Sequence, residues 1–198
     1  ARHLLLVEPG FSIGRVLDIR EAARMAARGK VLEPQTLVEI QQTLAAIHQV
    51  CGNLGRLSNE LPLLWDIASS IVELCQVEED IGNCLAPTSE LLDSASSQLA
   101  NIRKRLKQVR EHLLSHLETI IKSPKGQRIV QEPIVTEREG RYVIPVKIEC
   151  RKEIKGIVHD VSNTGVTLFI EPWATVELGN ELRELVMEER REIERILR

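Results

Sequence analysis

Aromatic side chains are scarce in this chain of 198 residues: Phe11, Trp65, Tyr142, Phe169 and Trp173 are the whole set. Proteins that hold single strands stack bases on aromatic platforms, and three dispersed rings beyond residue 140 make a poor one. Tyr142, Phe169 and Trp173 are therefore expected to fill a small core. Paired cysteines are also missing. Cys51, Cys75, Cys84 and Cys150 stand far apart with no Cys-x-x-Cys, a pattern that argues against a disulfide framework or a metal site. They read as reduced, mostly buried thiols of a cytoplasmic protein. No apolar run nears the length of a membrane span and no signal peptide pattern opens the chain, so no membrane partner is expected. Net charge is only −3. The molecule as a whole makes no case for nucleic acid, and the distribution of charge has to be read instead.

What is present is an apolar content of 43%, enough for a real core, in patterns that are mostly helical. The stretch 16–30 repeats Val16, Ile19, Ala23 and Ala26 or Ala27, with Gly29 as a stop. Residues 33–51 begin with Pro34 in the first helical turn and put Leu37, Ile40, Leu44, Ile47 and Cys51 on one face. Residues 60–76 repeat Leu64, Ile67 or Ala68, Ile71, and Leu74 or Cys75, which predicts one further helix. Together these segments describe a bundle over residues 1–95. The chain opens without methionine and stops within a helical pattern, so both ends read as cut.

A longer helix is expected over residues 96–123, with Ser96 as a good N-cap. Leu99, Ile102, Leu106, Val109, Leu113, Leu117 and Ile120 follow steps of three and four, the seam of a coiled coil, and about 27 residues would span about 40 Å. Pro124 ends it. Residues 124–173 then alternate apolar and polar residues in four short runs near 134–137, 142–149, 156–161 and 166–170, separated by turns at 139–140, 151–155 and 162–165. Pro145 inside the second run suggests an edge strand or a bulge. Residues 174–198 return to a charged helical pattern. The fold class is thus mainly α with a small β insertion: a helical bundle plus a long antiparallel coiled-coil arm capped by a small antiparallel sheet.

Charge is uneven along this plan. Between residues 122 and 155 nine basic side chains face five acidic ones, a net +4 in a chain of net −3. A basic tip on an acidic body suits phosphates, gripped without reading sequence and with strong salt dependence. Arg151, Lys152 and Lys155 cluster in one turn and are the first candidates for DNA contact. Arg141 and Lys147 share strand parity and follow, with Arg138 and Lys125 as further candidates. Arg103, Lys107 and Arg110 line a stripe on the long helix, where pairing with glutamates of the returning helix is the favoured reading over a second phosphate surface.

Other chemistry is thin. His112 and His116 stand four apart without a third ligand at a suitable spacing, so no metal is expected. His159-Asp160 is a lone pair in a strand pattern, and Asp160 is expected to bond amides of the following turn. No catalytic residues are assigned.

The stretches LLDSASSQLANIRKRL, QEPIVTEREGRYVIPVK and GIVHDVSNTGVTLFIEPWATVELGNELRELVMEERREIERIL, in that architecture, resemble the MutS-II family, MutS-like ATPases without a mismatch-recognition domain. The likeness runs from about residue 18 to the end and is most specific over 88–198. It implies the core, lever and clamp region, which in the family precedes an ABC-type ATPase domain and often an Smr domain. Family members are homodimers that bind branched DNA and suppress homologous recombination, and some act on stalled ribosomes. The glycine-rich phosphate loop ending in Gly-Lys-Ser or Gly-Lys-Thr occurs nowhere in this chain, and the nuclease activity of the family lies in the absent Smr part.

The resemblance therefore implies a piece that binds and braces but does not hydrolyse. ATP, Mg and any endonuclease activity would belong to other parts of a parent protein, and no cofactor is expected here. The expected partners are duplex or branched DNA, a second copy of the full-length protein, and alternatively a ribosome or rRNA contacted by a scaffold arm.

Overall fold

The computed structural model describes residues 2–198 and divides the chain into two units, one reaching Ser97 and including Ile193–Arg198, the other Gln98–Glu192. The first unit is helical: α1 (Arg2–Val7), α2 (Arg20–Ala27), α3 (Pro34–Arg56), α4 (Pro62–Ser69) and α5 (Cys75–Cys84). Prolines open α3 and α4, where the missing amide hydrogen costs nothing and the fixed φ suits the first turn. Its core gathers Leu4, Cys51, Leu54, Leu61 and Ala68. The buried face of α3 is broader than the pattern implied. Val38, Ala46 and Leu54 join Leu44 and Cys51, while Leu37, Ile40 and Ile47 are half-buried.

The single helix expected over residues 60–76 is two. Ser69 and Ser70 donate their hydroxyls to the carbonyls of Asp66 and Ile67, at 3.1 and 2.7 Å. Such bonds compete with the helical ladder, and the chain leaves the helix at Ser70 before restarting at Cys75. Ile67, Ile71, Val72 and Leu74 are left exposed around this break. Among the four thiols only Cys51 is buried, and none is in a disulfide.

The second unit holds most of α6 (Ser97–Lys122) and of α8 (Trp173–Ile196), whose cross-pairs run in opposite directions along the two helices. Ile102 and Leu106 pack on Leu182 and Leu185. Within the stripe, Arg103 meets Glu189 of α8 at 2.8 Å, as favoured from the charge pattern, whereas Lys107 approaches Glu111 of its own helix at 4.0 Å; Arg105, off the stripe, meets Glu181 at 3.1 Å. The expected seam is buried at Leu99, Ile102, Leu106, Leu113 and Leu117, with Ile121 rather than Ile120 completing it.

Pro124 does more than end α6. Ser123 caps a new short helix, α7 (Pro124–Ile129), accepting the Gly126 amide at 2.9 Å. A Cβ at Gly126 would collide with the carbonyl oxygen of Ile120, so only glycine lets α7 fold back this tightly.

The sheet follows: β1 (Thr136–Arg138), β2 (Arg141–Lys147), a 3-10 turn at Ile148–Glu153, β3 (Gly156–Val161) and β4 (Thr167–Pro172). The strands are antiparallel in the order β1-β2-β4-β3. Leu113, Leu117, Ile121, Ile129, Ile144, Val146 and Ile170 form the core between sheet and helices.

Pro145 lies on β2, an internal strand without a bulge at that position, which corrects the expectation of an edge strand or bulge. The carbonyl of Pro145 accepts the Gln131 amide at 2.9 Å. The amide-less nitrogen faces that same side, where the β1 ladder has already ended. The bulge lies at His159 in β3. Among the described residues no helix is long and apolar enough to cross a membrane.

Candidate nucleic-acid interface

The tight turn at Ser123–Gly126 places Lys125 and Arg128 of α7 beside the 3-10 turn of Ile148–Glu153. Arg128 forms an ion pair with Glu153 that joins the two. Lys147, at the end of β2, donates to the Arg128 carbonyl at 3.2 Å and locks the same corner. Arg151 donates to the carbonyls of Ile154 and Gly156 at 3.1 and 3.2 Å, folding the turn into β3. The Trp173 amide donates to the Lys155 carbonyl at 3.2 Å and fixes the start of α8 against it.

These contacts leave an open cleft of about 710 Å³, lined by Ser123, Lys125, Arg128, Lys152, Lys155 and Trp173 among others. Lys125, Lys152 and Lys155 are exposed, and among the described residues none has a hydrogen-bond or ion-pair partner. The one carboxylate on the cleft wall, Glu153, is engaged by Arg128. Three unpaired lysines thus line one concave surface whose carboxylate is already engaged, an arrangement favourable to an anion. Trp173 corrects the expectation of an aromatic core: it is 60% exposed and forms part of the cleft wall. Tyr142 is half-buried among the core residues and Phe169 carries the Arg138 guanidinium 4.0 Å from its ring centre.

The seven cations singled out from the sequence are therefore not one patch. Lys125, Lys152 and Lys155 share the cleft. Arg151 and Lys147 brace its walls through backbone carbonyls. Arg138 pairs with Asp160 at 3.1 Å and covers Phe169. Arg141, at the other end of β2 from Lys147, reaches Glu171 at 3.2 Å and Asn180 at 2.7 Å. Asp160 does accept the Val161 amide at 2.8 Å, next to its bond with Arg138.

Arg141 belongs to a polar cluster gathered around one buried carboxylate. The bulge at His159 turns its ring inward, and Nε2 lies 2.7 Å from Glu171. Glu171 is 2% exposed, so its carboxylate has exchanged water for Arg141 on one oxygen and His159 on the other. Neither partner was legible as such, because the bulge that brings His159 to Glu171 depends on strand pairing.

The arrangement defines a mainly helical protein whose small sheet carries a basic cleft. No family model matches the chain. Over nearly its whole length it is homologous to MutS2 proteins. It is 47% identical over 196 residues to endonuclease MutS2 of Pelotomaculum thermopropionicum, 40% over 201 residues to that of Thermomicrobium roseum, and 44% over 186 residues to that of Geobacillus thermodenitrificans. These matches cover 99%, 100% and 92% of this chain but 25%, 25% and 24% of the relatives. The chain thus spans about a quarter of the length of the curated relatives it matches.

Proposed function

We propose that this chain is a core, lever and clamp portion of a MutS2-type protein, whose β-rich unit grips duplex or branched DNA through phosphate contacts at the cleft. The observation that carries the reading is that Lys125, Lys152 and Lys155 line one concave surface whose carboxylate, Glu153, is already paired with Arg128. Lysines are point charges without base selectivity, so the grip would follow backbone shape and charge rather than sequence. Homology to proteins named endonuclease MutS2 supports nucleic acid as the polyanion. ATP hydrolysis with Mg, nuclease action, pairing of two copies and a role in DNA repair or suppression of recombination belong in this reading to the whole protein.

The test is anisotropy titration of a labelled four-way junction and of a linear duplex at several salt concentrations. The triple variant Lys125→Glu/Lys152→Glu/Lys155→Glu should bind weakly. Its log-log salt slope should be shallower by about 0.9 for each contact removed. A slope equal to that of the parent chain would overturn the assignment.

A second reading has its own observation. Leu63, Ile67, Ile71 and Val72 are exposed along α4 and the break that follows it, with Leu63 and Val72 at 82% and 79%. Clustered exposed aliphatics suit protein contact, so a scaffold that pairs with a second copy or docks on a ribosome is the alternative. It predicts no junction binding at any salt, and self-association that Ile67→Glu/Val72→Glu reduces in sedimentation.

A further inference from the structure

The break between α4 and α5 brings two near neighbours in sequence, Glu73 and Cys75, onto a side chain 25 or more residues earlier. His48 lies on α3, Glu73 in the connection and Cys75 at the start of α5. His48 Nδ1 is 2.8 Å from Glu73 Oε2 and 3.3 Å from Cys75 Sγ, and Sγ is 3.9 Å from the same carboxylate oxygen. We propose that these three residues form a binding site for a single zinc-like divalent cation.

The donor set is one nitrogen, one oxygen and one sulfur, the mixture that zinc accepts and that hard cations such as magnesium do not favour. Bond lengths of 2.0–2.3 Å in tetrahedral geometry place such donors about 3.3 to 3.6 Å apart. The observed separations straddle that range, and shifts of a few tenths of an ångström would seat an ion. A thiolate and a carboxylate together carry the charge that balances a divalent cation, and binding releases the thiol proton to solvent.

The competing reading is a nucleophilic Cys-His-Glu relay. Such a relay needs the cysteine and the acid on different ring nitrogens, so that a proton can pass through the imidazole. Here both approach Nδ1. One nitrogen cannot relay between two partners on the same side, but three donors converging on one point are what a shared cation requires. His48 and Glu73 are exposed and Cys75 is half-buried, so the position is open to solvent, and three protein donors leave a fourth place for water. Occupied, the site would tie α3 to the start of α5 and fix the joint that Ser69 and Ser70 create.

The test is titration of cobalt(II) into the reduced 198-residue chain, followed by absorption. One equivalent should produce a thiolate-to-cobalt charge-transfer band with tetrahedral visible bands, and zinc should abolish both by displacement. Cys75→Ser should remove the charge-transfer band. His48→Ala and Glu73→Gln should each weaken binding by at least about ten-fold. Cys84→Ser should leave the spectrum intact, and circular dichroism of each variant reports that the helices persist. No band in the parent chain, or a band that survives Cys75→Ser, would overturn the proposal. So would a band that depends on Cys84.

Discussion

Arg141 donates to Glu171 across 3.2 Å directly over Gly179 of α8, where an added Cβ would lie 2.7 Å from the carboxylate and 2.8 Å from the guanidinium. The ion pair and the missing side chain are one feature. A glycine in mid-helix is unfavourable by itself, and here it makes room for a buried carboxylate and its half-buried arginine partner.

In an unencumbered helix Gly→Ala gains about 1 kcal/mol. Gly179→Ala should do the opposite, because Glu171 is also held by His159 and has nowhere to retreat. A lower Tm by differential scanning calorimetry is the expected outcome, and a raised Tm would show that the pair can move aside.

Arg141→Ala should cost about 3–5 kcal/mol, since it leaves a buried carboxylate with only His159. Denaturant titration measures this. Where the variant stays folded, its salt slope for DNA should equal that of the parent chain, whereas the cleft lysines should show the reverse: little change in stability and a reduced slope.

Ser123→Ala should lower stability by about 1 kcal/mol through loss of the cap on α7. Gly126→Ala should cost more, because a methyl group there meets backbone rather than a movable side chain. Both would disturb the wall that carries Lys125, so junction affinity should fall with Tm in these two variants.

Desolvation pushes the thiols of buried Cys51 and half-buried Cys150 above their usual range, reinforced by Glu73 at the first and by Glu153 and Glu149 at the second. The thiolate is the reactive form. Alkylation by iodoacetamide near neutral pH should therefore be slower at both than at a free cysteine in solution, and should accelerate only as the medium becomes more alkaline. Peptide mapping after timed quenching reads this directly.

The long seam of α6 was legible because a repeat sustained from Leu99 to Leu117 is a local signal that packing only reinforces. The tight turns were legible for a similar reason: Gly140 and Gly165 adopt positive φ, which few other residues tolerate. What could not be read depends on partners distant in the chain. The bundle helix over 60–76 had an unbroken apolar period, yet two serines ended it. Arg141 and Lys152 are equally basic in sequence, and only the position of Glu171 separates a half-buried anchor from a free charge. His48 and Cys75 have no motif spacing at all; a break in one helix makes them neighbours.

The irregularity at His159 has an effect outside the polar cluster. β3 is an edge strand, and Ile157, Val158 and Val161 are exposed on it. A straight edge of that composition would template a strand from a neighbouring molecule, the first step toward fibrous growth. The kink interrupts the row of outward amides halfway along, so a docking strand would lose register after two or three residues. The same residue that turns inward to hold a carboxylate thereby guards the open margin of the sheet.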